Sequence, residues 1–189
     1  MMYKNIVIAG LTRNLEVDMM KRIAKFHKVS QEQFTKGWKS VFPDSTEADI
    51  AKIYDEIILP MRATTGSAGY DFFSPLTFSL KPGETILLPT GIRVEIEDGW
   101  VLKLYPRSGF GFKFRLQLNN TVGIIDSDYF YSDNEGHIFA KITNDTNEDK
   151  LVYIEEGIGF MQGIFVEYGI TFDDDAIDVR NGGFGSTSK

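Results

Sequence analysis

The sequence predicts a mainly β domain, a sandwich or closed barrel, preceded by a short helical segment and followed by a loose tail. Three observations carry this. Phenylalanine and tyrosine supply 15 and 8 of 189 residues and glycine 18, the texture of aromatic strands cut by tight turns. Ile92, Val94 and Ile96 alternate with Arg93 and Glu95, the period of a half-buried strand. Gly83, Gly91, Asp98-Gly99 and Pro106 recur at the regular spacing of a β-sandwich or barrel.

The segment before residue 57 has a different period. From Asn14 to Phe26, Leu15, Met19, Ile23 and Phe26 fall at helical spacing. Ser30 followed by Gln33 has the capping-box pattern, with Phe34 and Trp38 four apart behind it. Asp44-Ser45-Thr46 before Glu47 marks another helix start, with Ile50, Ile53, Tyr54 and Ile57 as its apolar stripe. Two or three short helices are therefore expected in 14–56, two of them separated by Pro43. Such helices with basic residues can be read as a helix-turn-helix unit. Ten Lys/Arg against eight Asp/Glu in residues 1–62 give only +2, which favours an extension packed on the main domain or on a neighbouring subunit.

Strand composition begins with Thr85-Ile-Leu-Leu-Pro-Thr and continues through Ile92–Ile96 and Trp100-Val-Leu-Lys-Leu-Tyr. Phe139-Ala-Lys-Ile-Thr, Leu151-Val-Tyr-Ile and Ile164-Phe-Val-Glu-Tyr follow. Asp173-Asp174-Asp175 reads as a solvated loop, and Asn181 to Lys189 as a flexible arm. The expected division is a helical extension at 1–56, a β domain at 57–179 and an arm at 180–189.

Composition also excludes chemistry. The chain has no cysteine, so thiolate catalysis and cysteine metal sites are out. With only His27 and His137, a multi-histidine site is not expected, and a general base is more readily a carboxylate. Both histidines read as ordinary surface or partly buried side chains. The net charge is −7, and ten Lys/Arg against nineteen Asp/Glu give −9 in residues 63–189. That argues against broad nucleic-acid binding. A triphosphate remains a possible ligand if a metal ion, a few arginines and backbone N–H groups receive it. No apolar run approaches the roughly 20 residues of a membrane span. The opening MMYKNIVIAGLTRN makes a poor secretory signal, so the cytoplasm is the expected compartment.

Three stretches hold groups suited to chemistry. Arg107-Ser108-Gly109 follows a strand ending at Tyr105-Pro106 and offers one guanidinium, one hydroxyl and N–H groups to phosphate oxygens, although an ordinary strand-end turn looks the same. Gly123-Ile-Ile-Asp-Ser-Asp-Tyr129 carries two acids and an aromatic after an apolar approach. Gly182-Gly-Phe-Gly-Ser-Thr187 is costly to order and has little to bury, which suits a segment that orders over a ligand.

In order and spacing, these stretches resemble the motifs of the homotrimeric dUTP diphosphatases, over about Leu59 to Lys189. The motifs are Ser67-Ala-Gly-Tyr-Asp71, Pro106 to Lys113, Asn120 to Tyr129, Gly157 to Gln162, and Arg180 to Thr187. The resemblance implies a distorted jelly-roll barrel, a homotrimer with shared sites, and Mg²⁺-dependent hydrolysis of dUTP to dUMP and pyrophosphate. That reaction limits uracil incorporation into DNA and supplies dUMP for dTMP synthesis. It implies that Asp126 activates the attacking water and that Asp71 supports the metal and phosphate site. Arg107, Ser108, Gly109, Gln162 and Arg180 would meet phosphates. Asn120 and the backbone near Gly123 would read the uracil edge, and Tyr129 would pack on the deoxyribose and exclude a 2′-hydroxyl. Phe184 would stack on uracil, with Gly185, Ser186 and Thr187 closing on the phosphates. Mg²⁺ would be held by the triphosphate and waters, without a direct protein ligand.

Four departures stand out. Gly159 replaces the arginine usual in the fourth motif, and the fifth motif is one residue short between Arg180 and Gly182. The turn after Tyr129 is a longer Phe-Tyr-Ser-Asp-Asn-Glu-Gly136, and residues 1–56 have no counterpart in the common domain. Two rival readings remain. A dCTP deaminase on the same fold would need a glutamate at the pyrimidine, which the sequence does not place. A regulatory protein using 1–56 on DNA or a partner is disfavoured by the acidic balance.

Overall fold

The computed structural model describes residues 21–178 and Arg180. Leu15 and Met19 of the expected first helix, and Phe184, Gly185, Ser186 and Thr187 of the arm, lie outside the described residues.

The first described element corrects the sequence reading. Ala24–Lys28 is a strand, β1, not the end of a helix. It pairs antiparallel with Ile92–Ile96 (β6), from Ala24↔Ile96 to Lys28↔Ile92. Ala24 and Phe26 pack on the main core. The Phe26 ring lies 5.3, 5.6 and 5.8 Å from those of Tyr70, Phe72 and Phe165. A spacing of apolar residues that suits a helix is here overridden by a free strand edge and an aromatic niche.

The other two expected helices form. Gln31–Val41 (α1) begins at Ser30, whose side chain accepts from Gln33 N–H. The reciprocal capping bond comes from far away in sequence, because Glu135 accepts the Ser30 N–H at 2.8 Å. Glu47–Glu56 (α2) begins at Thr46, whose hydroxyl oxygen accepts from Asp49 N–H. Phe34, Trp38 and Ile50 join Val29 in a small core of their own, and Ile57 and Leu76 link it to the barrel.

The β domain follows the predicted alternation. Its strands are Met61–Arg62 (β2), Tyr70–Phe73 (β3), Phe78–Leu80 (β4), Thr85–Pro89 (β5), β6, and Trp100–Pro106 (β7). After the short helix Ser108–Phe114 (α3) come Leu116–Leu118 (β8), Gly123–Ile125 (β9), Phe139–Asn144 (β10), Val152–Ile154 (β11) and Gly159–Glu167 (β12). The largest sheet runs β2-β3-β12-β7-β9, a second runs β5-β10-β8, and β1-β6 and β4-β11 form pairs. Their apolar faces enclose one core that includes Leu88, Leu102, Ile125, Ile142, Phe160 and Met161. The mainly β, jelly-roll-like fold is as the sequence predicts. Asp173-Asp174-Asp175 lies exposed without regular structure. No helix among the described residues is long and apolar enough to cross a membrane.

Candidate active site

Sheet order brings three of the expected motifs together. β12 lies between β3 and β7, and Gln162 pairs with Asp71 on one side and Tyr105 on the other. Arg107 emerges where β7 ends and serves as the N-cap of α3, so Ser108 and Gly109 form that helix's first turn rather than a loop. The Arg107 Nε lies 3.3 Å from Asp71 Oδ1, and its Nη1 donates to Gly159 O at 3.2 Å.

Gly159, where the fourth motif departs from the expected arginine, lies beneath the Arg107 side chain. A Cβ there would stand 2.9 Å from Arg107 Nη1 and 3.4 Å from Asp71 Cβ. The β12 register shifts between Gly159 and Met161, opening this place for the Arg107 side chain. Gly69 gives Gln162 room in the same way, since a Cβ would meet its Oε1 at 2.7 Å.

The third motif sits elsewhere. The turn from Asn119 to Val122 joins β8, in the second sheet, to β9, in the first. Where these sheets part lies a cavity of about 500 Å³, walled by Leu87, Leu104, Leu118, Phe139 and Met161. Asn119, Asn120 and Lys141 are its polar side chains, and Gly123 forms part of its floor. This apolar slot with few polar groups has the size and character of a site for a flat heterocycle.

Asp126 follows β9 as the N-cap of a 3-10 turn, Ser127–Tyr131. Arg180 closes on it: its Nη2 donates to Asp126 Oδ2 at 2.6 Å and its Nε to Asp128 Oδ1 at 3.0 Å. The same guanidinium lies 5.7 Å from the Tyr129 ring centroid. Tyr129 is 3% exposed. Its hydroxyl donates to His137 O at 2.8 Å and accepts from Asn134 Nδ2 at 2.9 Å. Burial pushes the phenol above its ordinary pKa, outweighing the opposing effects of Asn134 and Arg180.

Within one chain the two clusters are far apart. Ile125 pairs with Leu102, five residues before Arg107, so Asp126 and Arg107 lie near opposite ends of β7. Asp126 falls level with Val101, six residues before Arg107, and at about 3.3 Å per residue the separation is roughly 20 Å.

His137, expected at the surface or partly buried, is fully buried. Its Nε2 accepts the Gly91 N–H at 2.9 Å, so the neutral ring carries its proton on Nδ1, which has no partner among the described residues. Burial pushes its pKa down to about 4. Asn134, Glu135 and His137 are the site neighbours that sequence reasoning missed, and Asp128, one of the two acids of its motif, was given no role. The one signal available was the unusual length of the turn after Tyr129. No group of three or more His, Asp or Glu side chains among the described residues is placed to hold a metal ion.

Comparison with known proteins fits this geometry. The dUTPase family profile matches residues 55–188. A deoxyuridine 5′-triphosphate nucleotidohydrolase of Lactococcus lactis is 43% identical over 134 residues, covering 69% of this chain and 88% of the relative. One from Hahella chejuensis is 40% identical over 142 residues, covering 72% and 90%. The crystal structure of a Streptococcus mutans dUTPase superposes with a TM-score of 0.57 at 34% identity, covering 77% of this chain and 97% of that one. A mutant dUTPase from phage phi11 of S. aureus, described as coordinating a structural Mg(II) ion, shares the fold at 19% identity with a TM-score of 0.56.

Proposed function

The chain belongs to the dUTPase family, and we propose that it works as one in the cytoplasm, hydrolysing dUTP to dUMP and pyrophosphate. The observation that carries this reading is Asp126 at the head of a turn whose Tyr129 it precedes by three residues, at the far end of the short strand that begins at the cavity-lining Gly123.

Water attacks the α-phosphorus, a new P–O bond forms, and the bond to the β-phosphate oxygen breaks, with pyrophosphate taking the electron pair. Asp126 accepts the proton from the water. The uracil enters the slot between the sheets, where Asn120 and backbone groups near Gly123 meet its edge. Tyr129 packs on the deoxyribose. The phosphates lie along Arg107, Ser108, Gly109 and Gln162. Asp71 and Gln162, opposite each other on β3 and β12, can hydrogen-bond the water shell of a hard cation that arrives with the triphosphate. Mg²⁺ bound there would neutralise phosphate charge and fix its geometry, with Asp71 supporting it from outside the coordination sphere.

Two features support a shared site in a homotrimer. Asp126 and Arg107 lie too far apart in one chain to grip adjoining parts of one nucleotide. A closed ring of copies can bring the Asp126 end of one chain to the Arg107 end of the next. Arg180 enters this scheme twice, as a phosphate ligand and as the present partner of Asp126. Binding of the phosphates would draw it away and free the base. The arm from Phe184 to Thr187 then closes over the nucleotide.

The test is pyrophosphate release from dUTP, dCTP, dTTP and UTP in parallel. Release from dUTP alone supports the reading. Ammonia release from dCTP would favour the deaminase, whose required glutamate has no counterpart among the described residues lining the slot.

A further inference from the structure

The turn after Tyr129 and the helices before the barrel are two departures from the family pattern, and in this structure they touch. Ser132 to His137 wraps around Tyr129. His137 O and Asn134 Nδ2 hold its hydroxyl, and Ser132 Oγ donates to its carbonyl at 2.7 Å. Gly136, at φ +70°, lies so close that a Cβ would be 2.8 Å from Tyr129 O and 2.9 Å from Phe130 Cα.

Glu135 ties this wrap to the start of α1. Its backbone has φ +57°, a left-handed conformation that side chains other than glycine rarely take. Its carboxylate accepts from Ser30 Oγ at 2.6 Å and from Ser30 N–H at 2.8 Å. Arg93 Nη1 stands 3.6 Å from the same carboxylate. The Arg93 guanidinium also covers the Phe130 ring at 3.6 Å and donates to Phe130 O. Burial alone would raise the Glu135 pKa, but the Ser30 bonds and the Arg93 charge hold it below the ordinary value, so the tether is charged at neutral pH. On the far side, the His137 ring lies against α1, where a Cβ on Gly37 would meet it at 2.9 Å.

We propose that Glu135 is a positioning residue of the active site: by capping α1 through Ser30 it fixes the loop that orients Tyr129, and so sets the preference for 2′-deoxyribose over ribose. The inference rests on the reading of Tyr129 as the residue facing the sugar. It gives the helical segment a task in the site, because α1 supplies the anchor to which the Tyr129 loop is tied. Asp126 opens the same 3-10 turn, so a loosened loop also lets the base drift.

The experiment compares kcat/KM for dUTP and UTP in the parent, Glu135→Gly, Ser30→Ala and Tyr129→Leu, with thermal unfolding of each. Glu135→Gly is the informative variant, since glycine tolerates the positive φ while removing the carboxylate. A lost hydrogen bond to a charged group is worth about 10-fold or more. Glu135→Gly is expected to lower the dUTP-to-UTP ratio by about 10-fold, mainly by improving use of UTP, with a melting temperature lower than the parent's by several degrees but a single cooperative unfolding step. Ser30→Ala, which keeps the N–H donor, is expected to fall between the two. A loop acting only as structure would leave the ratio unmoved. Should Glu135→Gly fail to fold, Glu135→Asn, one methylene shorter and tolerant of the positive φ, is read in the same way. If the glutamate variant keeps the parental ratio while Tyr129→Leu loses it, the inference is overturned and the reading of Tyr129 stands. If Tyr129→Leu also keeps the ratio, the reading of Tyr129 falls and the inference falls with it.

Discussion

Arg180 Nη2 and Asp126 Oδ2 lie 2.6 Å apart, so the first residue of the arm rests on the carboxylate that the proposed mechanism uses as its base. The pair is partly open to solvent, with the aspartate side chain 47% exposed. Exposed pairs of this kind contribute about 0–1 kcal/mol to stability. The Arg180 side chain is 18% exposed, so the upper end of that range applies, and the proposed mechanism gives the pair a second part as a restraint on Asp126.

Two variants separate those roles. Asp126→Asn should lower kcat by at least roughly 100-fold, while a non-hydrolysable dUTP analogue still binds in calorimetry. Arg180→Gln should lower kcat/KM while melting within about 4 °C of the parent. Near-normal turnover in Asp126→Asn would end the assignment of the base. A large loss of stability in Arg180→Gln would show the pair to be structural.

Tyr129 should give a graded series. Tyr129→Phe keeps the ring but leaves His137 O and Asn134 Nδ2 without the hydroxyl, at a cost of about 1–3 kcal/mol. Its dUTP-to-UTP ratio in kcat/KM should lie between those of the parent and Tyr129→Leu, which removes the ring. An unchanged ratio in the leucine variant, measured by steady-state kinetics, would place the gate elsewhere.

The distance between Asp126 and Arg107 along β7 makes a prediction about assembly. Asp126→Asn and Arg107→Ala should each be inactive alone. Mixed, unfolded and refolded together, they should regain activity, because some junctions then join an intact Asp126 to an intact Arg107. Random mixing in a closed ring gives about a quarter of junctions of that kind. No recovery, or a monomeric mass by light scattering of active protein, would contradict shared sites.

His137 sets a pH response. Its folded pKa of about 4 lies below its unfolded value of 6.5, so the unfolded chain binds the extra proton first on acidification. The stability it contributes is fully present above pH 6.5 and is lost as pH falls towards 4, up to about 3 kcal/mol. Melting temperature should therefore drop across that window, and His137→Phe should flatten the dependence. A parent and a phenylalanine variant with equal slopes would remove His137 as the cause.

Much of this protein was legible locally. The alternation of Ile92, Val94 and Ile96 marks β6, and Ser30 and Thr46 mark the helix starts, because a strand period or a cap is written within a few neighbouring residues. Asp71, Arg107 and Gln162 were recognisable as site candidates for the same reason, each inside a short motif. Their meeting was not, because it depends on β12 running between β3 and β7. Ile23 and Phe26 continue the helical spacing of Leu15 and Met19, yet residues 24–28 form a strand because they pair with the edge of β6, nearly seventy residues on. The missing partner in the Ser30 capping box is Glu135, Asp126 is held by Arg180, and Asp126 and Arg107 are separated along β7. Local periodicity and capping belong to the sequence because the interacting atoms are a turn apart. Those pairings belong to the tertiary structure because their free energy exists only once distant segments have been packed against a common core.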